Sequence, residues 1–134
     1  MHQINIRMNE IFQALSDETR LRIIRLMAIS KAEICACEMV DSLLEPEYKI
    51  SRHLKLLKSV GIIHSVRDGK WVYHSLVQSE NFQKLLFESL LSFPDTDRTF
   101  KQDFERFKKR CKLRKDGRCI TGALYNEVAK EAAR

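Results

Sequence analysis

Apolar residues recur at helical spacing along most of the chain. Ile4, Met8, Ile11, Phe12 and Leu15 trace one stripe and predict a first helix. Ser16 and Asp17 can cap a second, in which Leu21, Ile24, Leu26, Met27 and Ile29 are the buried positions, with Arg20, Arg22, Arg25 and Lys31 on the wet side. A short third helix is predicted over 34–43, with Cys35, Met39, Val40, Leu43 and Leu44 inward. Pro46 interrupts the pattern, because proline fits a first helical turn and disrupts an interior. A fourth helix then runs from Glu47 to about Val60 on an inner stripe of Ile50, Leu54, Leu57 and Val60, and Gly61 follows where a left-handed cap belongs.

The period then changes. Residues 62–67 and 70–76 are rich in β-branched and aromatic side chains, and Asp68-Gly69 between them is a two-residue hairpin signal. Helical spacing returns at 81–92, with Phe82, Leu85, Leu86, Ser89, Leu90 and Phe93 as its stripe. After Pro94 it continues through Phe100, Phe104, Phe107, Cys111 and Leu113, ending near Lys115-Asp116-Gly117. A short last helix could occupy 123–132. The fold class expected is mainly α with a β-hairpin: a winged helix-turn-helix with one or more added C-terminal helices. Residues 1–93 would bind DNA and dimerise, and 94–134 would form a basic extension packed on the same domain.

With 134 residues, 44% of them hydrophobic and 31% charged, the chain has room for one domain and a modest core. It contains no apolar run long enough to span a membrane and no secretory leader pattern, so the expected location is cytoplasmic, with no membrane partner. The net charge of +6 resides entirely in residues 101–118, where nine Lys or Arg face three acids. That run could reach phosphate or could simply be a solvated helix face. Sequence recognition must therefore be sought in the middle of the chain.

There the chemistry is suggestive. A helix can read a major groove if its outer face carries short polar groups and cations while its inner face is anchored to a core. Tyr48, Lys49, Ser51, Arg52, His53 and Lys55 cluster on the fourth helix, and Arg67 and Lys70 flank the hairpin tip. Ser51 and Arg52 are the candidates for base edges; Lys49, Lys55, Arg67 and Lys70 suit phosphate. His53 could serve the helix base as readily as DNA. Cys35 and Cys37 form a Cys-x-Cys pair able to grip one soft ion, or could be two small buried hydrophobes.

Together Leu15-Ser16-Asp17-Glu18-Thr19-Arg20-Leu21-Arg22-Ile23-Ile24, Ile50-Ser51-Arg52-His53-Leu54-Lys55-Leu56-Leu57, Gly61-Ile62-Ile63 and Arg67-Asp68-Gly69-Lys70-Trp71-Val72-Tyr73 closely resemble the arsenical-resistance repressor family, also called ArsR/SmtB. The resemblance covers roughly residues 8–90. It implies a homodimeric repressor that leaves double-stranded operator DNA when a thiophilic ion binds, with the dimer built from the segments around 4–15 and 82–91. Glu33-Ile34-Cys35-Ala36-Cys37-Glu38-Met39 looks like the family's sensing sequence for arsenite, or for cadmium and lead.

This chain departs from the pattern in one respect. Arsenite sensors of this kind often carry a third cysteine three residues after the pair, and Val40 stands there. Cys111 and Cys119 are the other candidates, Cys119 preferred because Gly117 and Gly122 flank it. Three of the four sulfurs could hold arsenite or antimonite, or all four could hold cadmium, lead or zinc, from one subunit or two. The helix at 81–91 offers only Glu88 toward the zinc site some relatives place there. An enzyme is not expected, since the four histidines are scattered and the acids form no pair. A redox regulator using Cys35/Cys37 or Cys111/Cys119, and a protein-interaction module that never touches DNA, are the rival readings.

Overall fold

A computed structural model describes residues 6–125, so the expectations at Ile4 and over most of 123–132 lie outside the described residues. Among the described residues, six helices and a small antiparallel sheet follow in the order α1 (Met8–Leu15), α2 (Glu18–Ser30), β1 (Ile34–Cys35), α3 (Ala36–Leu43), α4 (Glu47–Ser59), β2 (Ile63–Asp68), β3 (Trp71–Leu76), α5 (Asn81–Ser92) and α6 (Thr99–Cys111). The boundaries follow local chemistry. The Asp17 carboxylate caps α2 by accepting the Arg20 N–H at 3.0 Å. Pro46 is the N-cap of α4. Gly61, at φ +75°, turns the chain out of α4 in the left-handed region that favours glycine.

The core is continuous, drawing on Ile23, Ile24, Leu26 and Met27 of α2, Met39, Val40 and Leu43 of α3, and Ile50, Leu54 and Leu57 of α4. Phe87 of α5 and Phe107 of α6 close it from the C-terminal side. In α2 the inward face takes Ile23 and Ala28, while Ile29 is exposed.

Several expectations change. Ile34 and Cys35 are strand, not helix: β1 pairs with β3 in the register Ile34↔His74 and Cys35↔Tyr73, so the hairpin becomes a sheet of order β1-β3-β2. β3 would otherwise have an open edge, and two extended residues cover part of it. The wing turn is Gly69-Lys70, because Asp68 pairs with Trp71, and Gly69 at φ +64° takes the left-handed position. In α5 the fully buried side chain is Phe87, whereas Phe82, Leu85 and Phe93 of the expected stripe face outward, as do Met8 and Phe12 of α1. Leu113, beyond the end of α6, is also exposed.

The arginines of α2 are not simply wet. Arg22 grips the buried Asp103 carboxylate at 2.8 and 2.9 Å and donates to the Leu43 carbonyl at 2.7 Å. Arg25 donates to the Leu90 carbonyl and stacks on Phe100, 4.5 Å from its centroid. Nor is the basic run merely a solvated face. Arg106 of α6 donates to the Ser42 carbonyl at 2.6 Å, Arg110 pairs with Asp41 at 2.6 Å, and Arg114 pairs with Glu38 at 2.6 Å. Arginines spaced four residues apart thus pin α6 and the segment after it along α3.

Candidate metal centre and nucleic-acid interface

The start of α3 sets two sulfurs. Cys35 is its N-cap and Cys37 lies in its first turn, both buried. Glu38, fully buried, reaches back to accept the Cys35 N–H at 3.0 Å, and this fixes how the chain enters the helix. A third sulfur arrives from the segment after α6. Cys119 is buried with its Sγ 3.2 Å from that of Cys35, and the sulfurs of Cys35, Cys37 and Cys119 all lie within 4.8 Å of one another. At a metal–sulfur bond of about 2.3 Å, three sulfurs around one ion stand roughly 3.4–4.0 Å apart. The cluster needs only small adjustments to reach that spacing, with Cys35 and Cys119 moving slightly apart from 3.2 Å. All three belong to one chain.

Cys111 is not brought to this cluster. It packs half-buried against the main core, and burial pushes its thiol up. Four sulfurs therefore do not meet within one chain among the described residues.

Charges around the sulfurs are paired. Burial favours the protonated form of Glu38, but two hydrogen bonds from Arg114, at 2.6 and 2.7 Å, and the Cys35 N–H outweigh it and hold the carboxyl below its ordinary value. Cys37 is drawn down to about 7, by hydrogen bonding with Cys35 against its own burial and with help from the Arg110 guanidinium 3.7 Å away. The same contact drives Cys35 strongly upward, reinforced by burial and by Cys119. Burial lifts Cys119 to about 11. Of the three sulfurs, Cys37 is thus the one whose proton leaves most readily, and thiolates are the form that bind soft ions.

Tyr48, Ser51, Arg52 and Lys55 are exposed along one face of α4, at steps of three and four residues. Lys49 is half-buried and ion-paired with Glu45 at 3.0 Å. His53, expected among the DNA-facing groups, is buried. Arg20 Nη1 stands 3.2 Å from its Nδ1, and the Asp17 carboxylate lies 3.8 Å from Nε2. Its burial, only partly offset by Asp17, lowers its pKa, so it tethers α4 to α2 rather than presenting charge. Arg67 and Lys70 are exposed at the wing tip. Between the helix face and the wing runs a groove lined by Ser51, Lys55 and Lys58 on one side and Ser65, Val72 and His74 on the other.

Sequence reasoning missed Glu38, Asp41, Arg110, Arg114 and Tyr73. A signal existed: acids three residues apart on α3 and arginines four apart along α6 and just past its end have matching helical periods.

Residues 17–65 match the family described as bacterial regulatory protein, arsR family. The chain is 40% identical over 68 residues to an uncharacterized HTH-type transcriptional regulator of Methanocaldococcus jannaschii, covering 51% of this chain and 75% of that protein. It is 46% identical over 67 residues to the arsenic resistance transcriptional regulator ArsR2 of Pseudomonas putida, covering 50% and 57%. A cadmium resistance transcriptional regulatory protein CadC homolog of Staphylococcus aureus is 34% identical over 82 residues, covering 61% and 66%. The chain thus spans little more than half the length of the arsenic regulator it matches.

Proposed function

Because the chain belongs to the arsR family of bacterial regulatory proteins, we propose that it is a homodimeric repressor that leaves operator DNA when Cys35, Cys37 and Cys119 capture a trivalent thiophilic ion, arsenite or antimonite. The single observation that carries this reading is the trio of buried sulfurs within 4.8 Å of one another in one chain. Their number matches the three bonds of trivalent arsenic.

Charge balance favours the same ion. Arsenous acid and three thiols exchange three As–O and three S–H bonds for three As–S and three O–H bonds, releasing three waters with no change in net charge. A divalent ion held by three thiolates leaves one negative charge behind. The Arg110 guanidinium, 3.7 Å from the Cys37 sulfur, would have to be shared between that extra charge and Asp41. Cadmium and zinc also favour a fourth ligand, which Cys111 does not offer from its place in the core.

On the DNA side, the exposed stripe of Tyr48, Ser51, Arg52 and Lys55 supports α4 as the groove-reading helix, with Arg67 and Lys70 on backbone. The outward apolar residues of α1 and α5 support a dimer built on those helices. Release then follows from linkage: the ion shifts the dimer only if the weakly binding state holds the ion better.

The test is a titration of the operator complex with arsenite, antimonite, cadmium, lead and zinc. Arsenite or antimonite should release the operator at one ion per chain, and Cys35→Ser, Cys37→Ser and Cys119→Ser should each abolish release while keeping DNA binding. Release by cadmium or zinc alone would overturn the inducer assignment. A second reading, oxidative control, is favoured by the 3.2 Å approach of Cys35 and Cys119, and it moves the expected disulfide to that pair. Operator affinity unchanged after mild peroxide would eliminate it.

A further inference from the structure

The segment that supplies the third sulfur is fastened to the wing at three points. The Cys119 N–H donates to Tyr73 Oη at 2.9 Å. The Arg118 guanidinium lies over the Tyr73 ring, 4.4 Å from its centroid. Arg118 Nε also meets the Asp68 carboxylate at 3.3 Å. Tyr73 is buried in the middle of β3, opposite Cys35 of β1 on one side and Val66 of β2 on the other. Asp68 ends β2 at the wing turn, between the exposed Arg67 and Lys70.

The two sides of the thiol cluster differ in how firmly they are held. Cys35 is fixed by its pairing in the sheet and by Glu38, and α3 is clamped by Arg106, Arg110 and Arg114. Cys119 follows a tight turn in which Lys115 and Arg118 exchange backbone hydrogen bonds, with exposed residues at 115–118 and at Ile120. When an ion sets the three sulfurs at its own spacing, Cys35 and Cys119 must part slightly, and the less constrained partner yields. That partner is Cys119: after it the chain is tied back to α3 from Thr121 on, through Arg110 and Asp41, while the attachments of Cys119 and Arg118 lead chiefly to the wing.

We propose that Tyr73 and Arg118 are positioning residues that pass the rearrangement of the thiol site into the wing. The ion displaces Cys119 from its 3.2 Å approach to Cys35, the Cys119 N–H and the Arg118 guanidinium carry that displacement to Tyr73 and Asp68, and the wing tip changes its approach to the DNA backbone. This rests on the reading of the chain as a thiol-triggered repressor.

The test compares wild type with Tyr73→Phe, Arg118→Gln and the double variant. Tyr73→Phe keeps the ring and removes only the oxygen that accepts from Cys119, and Arg118 is half-exposed, so both should fold. Three quantities are read with sodium arsenite as probe: arsenic–sulfur absorption and its stoichiometry, the ratio of operator affinities without and with arsenite, and the emission of Trp71. Trp71 is the sole tryptophan and packs beside Tyr73 and the three cysteines, so it reports on the wing.

Each variant should still bind one arsenic per chain through sulfur. The affinity ratio should fall by about 2- to 13-fold for Tyr73→Phe, the range one hydrogen bond supports, and further in the double variant, with a weakened Trp71 response. A double variant that binds arsenite and keeps the wild-type ratio and Trp71 response overturns the proposal. Loss of arsenite binding itself also overturns it, since Tyr73 and Arg118 would then only build the site. A wild-type protein whose operator affinity ignores arsenite while the sulfurs bind it overturns both this proposal and the repressor reading.

Discussion

Replacing Glu38 with Gln should detach the C-terminal clamp at its most buried point. The carboxylate is fully buried and receives two guanidinium hydrogen bonds, at 2.6 and 2.7 Å, besides the Cys35 N–H at 3.0 Å. Gln preserves volume and can still accept from Cys35, but it removes the charge and turns an amide N–H toward Arg114. Removing one partner of a buried pair costs about 3–5 kcal/mol. Arg114 is 15% exposed in its side chain and keeps the Glu33 carbonyl at 2.7 Å, so it can relax toward water and backbone. The lower end applies, about 3 kcal/mol. At a urea slope of about 2 kcal/mol per molar, that lowers the midpoint by about 1.5 M.

The assay is urea unfolding at fixed protein concentration, so that self-association contributes equally to both proteins. Glu105→Gln is the control, because Glu105 and Lys108 are a half-exposed pair and should shift stability by less than about 0.5 kcal/mol. The pH dependence adds a second check. Glu38 has a folded pKa below its ordinary 4.5, so its contribution is complete above that value and fades as pH falls through the lower folded value. The gap between wild type and Glu38→Gln should therefore close in acid. A loss below about 1 kcal/mol at neutral pH, or a gap that persists in acid, would refute the assignment of the clamp to this ion pair.

Arg52→Ala should weaken specific operator binding at least tenfold, within the roughly 1–3 kcal/mol of a base contact, with an unchanged urea midpoint; equal affinity by fluorescence anisotropy would remove Arg52 from the interface. His53→Gln should do the reverse, costing about 1 kcal/mol of stability while leaving the salt dependence of operator binding unaltered; a shallower salt slope would return His53 to the phosphate contacts. Cys111→Ser should keep the full arsenite response, whereas Cys119→Ser should lose it. Normal response in Cys119→Ser would break the three-sulfur reading.

The helices were legible because their apolar positions repeat at a period that local geometry imposes. Asn81–Ser92 shows the limit of that signal: the period was visible, but which face turns inward depended on where α2 lies, and Phe87 took the core position instead of Phe82 or Leu85. β1 was hidden for a related reason. Two residues carry no period, and Ile34-Cys35 is extended because β3 offers an edge to pair with. The exposed face of α4 was largely readable except for His53, whose partner Arg20 lies 33 residues earlier. Cys119 lies 84 residues beyond Cys35, a separation at which spacing says nothing about contact.

Drawing the third sulfur from so far away changes what the site depends on. Val40 lies one helical turn past Cys37, fully inside the core between α3 and its neighbours. A ligand there would sit on the same rigid helix as the pair and would bind an ion whether or not the rest of the chain were docked. Cys119 instead reaches the pair only when α6 lies along α3, held by Arg106, Arg110 and Arg114, with the Leu124 and Tyr125 N–H groups on Asp41 at 2.8 and 2.7 Å. Ion affinity is then the intrinsic affinity multiplied by the docked fraction. The same substitution that lowers stability, Glu38→Gln, should therefore raise the arsenite concentration needed for release, although Glu38 contributes no sulfur. The sequence spends its whole net positive charge on the segment that delivers the third sulfur, and much of that charge serves to hold the segment in place.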